Sequence, residues 1–167
     1  MSVRNLLYDK QVLKGTTFKL PVIVVGNLST GGTGKTPMVE YLVELLSSSF
    51  KVAVLSRGYR RKSKGFILAN EHATVEKIGD EPYQYLKKFD SIQVAVAENR
   101  RFGIEQLLKH ANPPEVILLD DAFQHRRVSS NCNILLTSYD ALYSKDFLLP
   151  TGNLREWASG SRRAQCI

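Results

Sequence analysis

The feature that most constrains the fold is the stretch "VVGNLSTGGTGKTP", which begins at Val24. Its end, with Gly34 followed by Lys35 and Thr36, fits the G-x-x-x-x-G-K-[ST] pattern of a phosphate-binding loop. The β-branched run "PVIVV" before it is typical of a buried parallel strand, and the apolar spacing after it is typical of a helix. A glycine-rich loop between a strand and a helix directs backbone N–H groups at phosphate oxygens. The sequence therefore predicts a nucleotide site.

One position of this loop departs from the pattern, because Ser29 stands where the first glycine belongs. That glycine mainly permits the turn out of the strand, so serine is compatible with a phosphate loop if its φ stays negative. Thr30 stands where ATPases of the DNA-partition type carry an extra lysine, which argues against a partition function. The residues predicted to hold nucleotide phosphate are Thr30, Gly31, Gly32, Thr33, Gly34, Lys35 and Thr36.

The remainder of the chain alternates between predicted strands and helices. Further strands are expected at "KVAVLS", "GFILA", "IQVAVA", "EVILLDD" and "NILLTS". Helices are expected after the phosphate loop, after "GDEP", and from about Asn99 to His110. Strands that alternate with helices form a mainly parallel sheet through right-handed crossovers. The predicted fold is therefore a doubly wound α/β domain of the P-loop NTPase type, with its ligand at the carboxyl ends of the strands.

Apolar spacing also predicts which face of two helices packs on the sheet. In the helix after the phosphate loop, the apolar residues at helical spacing are Met38, Tyr41, Leu42, Leu45 and Leu46. In the helix from about 99 to 110, they are Ile104, Leu107, Leu108 and Ala111. We expect each set to form the buried face of its helix.

The run "VILLDD" places Asp120 and Asp121 directly after four apolar residues. The second half of a phosphate-loop site is an acidic group at the tip of a neighbouring strand. Adjacent carboxylates repel each other unless a cation or hydrogen-bond donors compensate them. We therefore expect the two aspartates and the Thr36 hydroxyl to hold Mg²⁺, and one aspartate to orient water or a substrate hydroxyl.

Composition limits the function less sharply than the motifs do. The 167 residues suit one domain, and a formal net charge of +7 favours nucleic acid, anionic lipid or a phosphorylated substrate as a partner. Cys132 and Cys166 form no C-x-x-C pair, so we expect reduced thiols without a metal role. No apolar run is long enough to span a bilayer.

Several stretches beyond the loop occur together in one known family. They are "VGNLSTGGTGKTP", "LSRGY", "GDEP", "AENRRFG", "LLDDAFQHR" and "LLPTGNLRE". With them the chain resembles the tetraacyldisaccharide 4'-kinases, the lipid A kinases of Gram-negative bacteria, and "DDAFQH" and "GNLRE" are the most specific segments. The resemblance implies transfer of the γ-phosphoryl group of ATP, with Mg²⁺, to the 4'-hydroxyl of a lipid A disaccharide 1-phosphate.

The resemblance also implies roles for individual residues. Asp80, with Glu81 beside it, matches the proposed general base of the family. Asp120 and Asp121 match the acids on the metal side. The basic positions suited to clamping phosphate are Arg57, Arg100 and Arg155. The residues expected to position metal, water or nucleotide are Gln124 and His125.

Members of this family are longer at both ends. Residues 1–20 are expected to be the remnant of a membrane-associated N-terminal segment. Residues 21–167 are expected to be the phosphate-loop domain, cut at its C-terminal end where "RRAQCI" reads as the opening of another strand. The resemblance implies a monomer at the cytoplasmic face of the inner membrane, with the lipid A disaccharide precursor and an anionic membrane surface as partners. By itself this chain is expected to bind nucleotide weakly at best and could be inactive.

Other functions stay open from the residues. A GTPase-like metallochaperone would be supported by an N-K-x-D motif, which is not visible in the sequence. A nucleic-acid binder would show steeply salt-dependent binding that survives Lys35→Ala. The basic stretch "SRGYRRKSKG" has few aromatic residues among its charges for stacking on bases, and it also suits an anionic membrane and a phosphorylated lipid, so we expect no nucleic-acid partner. A fragment that only binds nucleotide is the remaining alternative.

Overall fold

A six-stranded sheet forms the centre of the protein in the computed structural model, which describes residues 2–167. The strands are β1 (Val22–Asn27), β2 (Val52–Ser56), β3 (Ile67–Leu68), β4 (Gln93–Val96), β5 (Val116–Asp120) and β6 (Cys132–Leu136). Their order across the sheet is β3-β4-β2-β5-β1-β6. All neighbouring pairs are parallel except β3 with β4. This confirms the predicted fold class.

Helices cover both faces of this sheet. They are α1 (Ser2–Asp9), α2 (Lys35–Leu46), α3 (Val75–Ile78), α4 (Asp80–Lys88) and α5 (Arg100–Leu108), and short 3₁₀ helices follow at Tyr143–Lys145 and Ala158–Arg163. On one face α2 and α4 pack with the strands in an apolar cluster. On the other face α5 packs with the segment that follows β5. Within the described residues no helix is long and apolar enough to cross a membrane.

The buried face of α2 differs from the prediction. Val39 and Val43 are fully buried with Leu42, whereas Tyr41 and Leu45 are 59% and 58% exposed. Positions 39, 42, 43 and 46 also follow helical spacing, and this stripe overlaps the predicted one. Met38, Leu42 and Leu46 pack in the apolar cluster as predicted. Spacing failed only at Tyr41 and Leu45, because both flanks of the helix carry apolar residues. The valines face the sheet instead.

Helix α5 matches its prediction more closely. Asn99 precedes it, and its side chain accepts a hydrogen bond from the backbone N–H of Phe102 at 3.3 Å, as an N-cap residue does. Ile104 and Leu107 are fully buried, as predicted. Leu108 is partly exposed, and Ala111 lies beyond the end of the helix, so neither belongs to its buried face.

The N-terminal helix α1 is attached to the sheet domain by polar contacts. Arg4 donates to the carbonyl oxygen of Gln124 at 2.9 Å, and Asn5 donates to the Glu156 carboxylate at 2.7 Å. Arg126 holds the end of the helix through Asp9 at 2.7 Å. At the other end of the chain, Cys166 forms a single parallel bridge with β6, where the sequence indicates the opening of a strand.

Candidate functional site

Three central strands end in polar side chains at the same edge of the sheet. β1 ends at Asn27, β2 at Ser56 and β5 at Asp120, and all three residues are buried. A cavity of about 410 Å³ opens there, and it is lined by Thr30, Gly31, Lys35, Ser56, Arg57, Tyr59, Glu81, Asp120, Asp121 and Arg155. The sequence predicts all of these residues except Ser56 and Tyr59. The candidate site therefore lies at the carboxyl edge of the sheet, as expected for this fold.

The phosphate loop forms one wall of the cavity. Gly31 and Gly34 adopt φ values of 110° and 83°, which residues other than glycine rarely adopt. A side chain added at either glycine would meet no protein atom within 4 Å, so their backbone is open to a ligand. Ser29 is outside the set of residues with positive φ and forms an antiparallel bridge with Leu154. The condition for accepting serine at this position is therefore met.

The side chain of Asn27 holds the phosphate loop in place through hydrogen bonds. Its side-chain amide donates to the Thr33 hydroxyl at 2.8 Å and to the Gly31 carbonyl at 3.4 Å, and its amide oxygen accepts a hydrogen bond from Arg155. Asn27 was not among the residues predicted from the sequence. Its signal is a polar side chain at the last position of an otherwise apolar strand.

Asp121 is paired with two of the cationic side chains that line the cavity, Arg155 and Lys35. Arg155 contacts its two carboxylate oxygens at 3.0 and 3.1 Å, and the Lys35 Nζ lies 3.7 Å from Oδ1. Burial raises the pKa of Asp121, but the Arg155 hydrogen bonds and Lys35 outweigh burial, so this pKa lies below its ordinary value. Asp121 also has a φ of 45°, a strained conformation that is typical of functional sites.

Asp120 has the opposite electrostatic character. It is 3% exposed, and burial, reinforced by the charges of Glu81 and Asp121, raises its pKa from 3.8 to about 6. Ser56 and Lys35 oppose this shift only in part. A buried carboxylate with an incompletely compensated charge favours a cation.

The residues of this edge fit Mg²⁺. Among residues 2–167, no group of three or more histidine, cysteine or acidic side chains could hold a metal ion without other ligands. Mg²⁺ does not require such a group, because it commonly binds through one or two carboxylates, waters and substrate phosphates. Asp120, Asp121 and the half-buried Thr36, in the first turn of α2, are residues of this edge whose side-chain oxygens are of the required type.

Asp80 and Glu81 lie at the N-terminus of α4, after Gly79 with a φ of 91°. Glu81 lines the cavity, whereas Asp80 is exposed and does not. At the start of α4, the Glu81 carboxylate therefore lies in the cavity wall, and the Asp80 carboxylate is exposed outside the cavity.

Other predicted site residues lie behind the cavity. Arg100 is fully buried and donates to the carbonyl oxygens of Ala97 at 2.7 Å and Asp120 at 3.3 Å. Gln124 is buried and donates to the Asn27 carbonyl at 2.8 Å and to Glu156 at 3.1 Å. The remaining predicted residues that do not line the cavity are Gly32, Thr33, Gly34, Thr36, Asp80 and His125.

A second, smaller cavity of about 280 Å³ lies between α1, the start of α5 and the loop after β5. It is lined by Arg4, Tyr8, Glu98, Asn99, Arg100, Arg101, His125, Arg126, Arg127 and Val128. Burial, followed by the charges of Arg100 and Arg57, lowers the pKa of His125 from 6.5 to about 4. His125 is therefore neutral at physiological pH, and the positive charge of this cavity comes from its arginines, with Glu98 as an acidic side chain in the lining.

Comparison with known proteins gives one consistent family. Residues 1–167 match the family model described as tetraacyldisaccharide-1-P 4'-kinase. The tetraacyldisaccharide 4'-kinase of Flavobacterium johnsoniae is 60% identical over 99% of this chain and 49% of its own length. The same enzyme of Bacteroides fragilis is 54% identical over 100% of this chain and 45% of its own length. The chain thus spans about half the length of the curated relatives it matches.

A solved structure agrees with these relatives. The crystal structure of the "apo" form of LpxK from Aquifex aeolicus in complex with ATP superposes with a TM-score of 0.90 at 46% identity. The match covers 98% of this chain and 52% of that one. These matches favour the kinase resemblance over a metallochaperone or a nucleic-acid binder.

Proposed function

Because the chain belongs to the tetraacyldisaccharide-1-P 4'-kinase family, we propose that it carries the nucleotide site of a kinase for the lipid A precursor. The reaction would transfer the γ-phosphoryl group of ATP to the 4'-hydroxyl of tetraacyldisaccharide 1-phosphate. The observation that carries the proposal is one cavity that joins Lys35 of a phosphate loop to Asp120 and Asp121. Such transfer depends on positioning and charge stabilisation, which these groups can supply.

Lys35 and Arg155 are the proposed phosphate clamp, with Arg57 on the same cavity wall. In the protein without nucleotide, Lys35 and Arg155 both contact Asp121. A nucleotide phosphate would offer them equivalent oxygens, and arginine suits such paired contacts. Thr36, Asp120 and Asp121 would hold magnesium, which neutralises charge on the β- and γ-phosphates when bound.

Asp80 is the proposed general base for the acceptor hydroxyl, as the family resemblance implies. Its exposure at the start of α4 leaves it accessible to a substrate. Its neighbour Glu81 lines the nucleotide cavity, so an acceptor bound at Asp80 would lie near the phosphate to be transferred. Proton abstraction requires that proximity.

The arginine-rich second cavity is the proposed contact for the phosphorylated head group of the lipid. It lies beside the nucleotide cavity, since buried Arg100 lines it and also donates to the Asp120 carbonyl. The adjoining helix α1 exposes Val3 and Leu6, and a helix with exposed apolar residues and nearby arginines suits an anionic membrane surface. We propose peripheral attachment at the cytoplasmic face of the inner membrane.

The test is γ-phosphoryl transfer from ATP to tetraacyldisaccharide 1-phosphate in mixed micelles. This chain and any longer reading frame that contains it are each compared with their Lys35→Ala and Asp80→Ala variants. Matched controls are Lys109→Ala and Asp90→Ala, which change exposed residues outside both cavities. We expect transfer to be lost in the two site variants and kept in the controls. Equal transfer by Lys35→Ala would refute the proposal.

A further inference from the structure

A basic loop, residues 57–65, follows β2 and forms part of the wall of the nucleotide cavity. Arg57 and Tyr59, at its start, line that cavity. Two glycines of the loop and Arg60 have positive φ, and this conformation is strained for a residue other than glycine. Local backbone preference therefore does not hold the loop in place, and its position depends on contacts with other parts of the chain.

The side chain of Arg61 anchors the end of this loop. It is 3% exposed, and its Nη2 lies 2.5 Å from one carboxylate oxygen of Glu98. The same Nη2 donates to the Gly65 carbonyl oxygen at 2.6 Å, and the second Glu98 oxygen accepts from the Gly65 N–H at 3.1 Å. These contacts attach the basic loop to the segment between β4 and α5.

The stem of Arg61 also packs on the loop where the loop meets α4. A Cβ added at Gly58 would lie 2.5 Å from the Arg61 Cδ. A Cβ added at Gly79 would lie 2.9 Å from the Tyr59 carbonyl oxygen and 3.1 Å from the Gly58 Cα. The loop backbone is therefore in close contact with the residue that precedes Asp80, the first residue of α4.

Stability alone does not explain the Arg61–Glu98 pair. Nε and Nη1 of Arg61 are buried without a hydrogen-bond partner, and buried unpaired donors oppose folding. Apolar side chains of similar volume often replace a buried ion pair with no loss of stability. What the pair supplies is a fixed direction, because the guanidinium meets the carboxylate and the Gly65 carbonyl in one arrangement.

We propose that Arg61 is a positioning residue of the nucleotide site. Through Glu98 and its packing on Gly58, it fixes the basic loop against the start of α4. It thereby sets the distance between Arg57 on the loop and Glu81 on the helix, which line the same cavity. This inference rests on the proposed function, since phosphate binding and transfer depend on such positioning.

The variant Arg61→Met removes the charge and the N–H groups but keeps a long side chain over Gly58. Its affinity for magnesium ATP, measured by calorimetry, should fall about fivefold because Arg57 is no longer held in the cavity wall. Its melting temperature should stay within about 3 °C of the parent, because Glu98 is 45% exposed and remains solvated. Arg61→Lys should recover the affinity to within about twofold, because one nitrogen makes both contacts of the arginine.

Amide hydrogen exchange of the ligand-free protein tests the positioning directly. In Arg61→Met, exchange should become about tenfold faster in the basic loop and at residues 78–83, where α4 begins. Exchange in β1 and β5 should not change. An effect confined to the loop would not reach residues 78–83, so this segment separates positioning from local support.

Lys62→Met is the matched control, because it makes a similar change in the same loop. Lys62 pairs with Glu76 at 2.8 Å, and both side chains are exposed, so the pair contributes little. This variant should keep the parent's affinity and its exchange at residues 78–83.

Normal magnesium ATP affinity in Arg61→Met, or unchanged exchange at residues 78–83, would overturn the inference. A lower melting temperature with faster exchange throughout the sheet would also overturn it, because Arg61 would then only stabilise the fold. If the unsubstituted chain bound no magnesium ATP, the proposed function would fail. Exchange at residues 78–83 would still decide whether Arg61 positions the start of α4.

Discussion

Replacing Asp120 by asparagine should stabilise the protein while it removes a proposed magnesium ligand. The pKa of Asp120 rises from 3.8 to about 6 on folding, mainly because the carboxylate is buried. A shift of that size corresponds to about 3 kcal/mol between the two protonation states. The contribution of Asp120 to stability is fully present below pH 3.8 and is lost as the pH rises through about 6. Asparagine has nearly the same shape and carries no charge.

Above pH 7 the Asp120→Asn variant should therefore be more stable than the unsubstituted protein by about 3 kcal/mol. In a domain of this size that difference raises the melting temperature by about 6–12 °C. At pH 4 the two proteins should have nearly the same melting temperature. The assay is thermal unfolding between pH 4 and pH 8 without ligand, with Asp90→Asn as the control because Asp90 is exposed.

The stability of the variant must be compared with that of its parent at each pH, because the pKa of His125 is shifted in the opposite direction to that of Asp120. Its pKa falls from 6.5 to about 4 on folding, so its stabilising contribution is present above pH 6.5 and lost as the pH falls through 4. The pH profile of one protein mixes both effects. A variant that is less stable than its parent at pH 8, or a difference that stays constant from pH 4 to pH 8, would refute the assignment of a buried carboxylate with a raised pKa at Asp120.

Two further variants test the packing and the clamp. Gly26→Ala should destabilise the fold by about 1–3 kcal/mol in urea unfolding, because its Cβ would lie 2.7 Å from the Phe123 Cβ. Gly32→Ala, where the added group meets no atom within 4 Å, should be near neutral, and an equal loss in both would contradict the packing argument. Arg155→Lys should weaken magnesium ATP binding about fivefold in calorimetry, because lysine cannot contact both oxygens of one carboxylate or phosphate group. The exposed control Arg162→Lys should bind normally, and normal binding by Arg155→Lys would exclude a paired contact.

Local pattern was sufficient to predict the sheet and the phosphate loop. Each predicted strand occurs, because continuous β-branched runs have few stable alternatives to a buried strand. The loop was recognisable because glycines with positive φ, a lysine and a threonine follow one another at fixed spacing. These features depend on neighbours in the sequence, so no tertiary information was needed.

The polar residues that act across the fold were harder to find. Asn27 and Ser56 end buried strands just as Asp120 does, but only the aspartate carries a charge that marks it as a metal ligand. Glu156 is buried where Asn5, Gln124 and Arg163 donate to it, and Asn5 and Gln124 come from distant parts of the chain. Such contacts are determined by the crossovers of the sheet, which residue spacing does not encode.

Side-chain direction was a second limit of the sequence. Arg100, predicted as a phosphate clamp, is fully buried, lines the second cavity and donates to two backbone carbonyls, so its clamp role stays a prediction. In α2 the wrong apolar flank was selected at Tyr41 and Leu45. In both cases the residue type was informative, but its direction depended on packing against another element. The catalytic role of Asp80 and the positioning roles of Gln124 and His125 stay predictions.

The central claim, that the cavity between the phosphate loop and the end of β5 is a magnesium ATP site, is tested most directly by equilibrium binding. Calorimetric titration of ATP with Mg²⁺ should show one saturable site in this chain and in the Lys109→Ala control. The same titration of Lys35→Ala should show that binding is lost while the melting temperature is kept. Equal binding by Lys35→Ala, or no binding by the folded parent chain, would contradict the account.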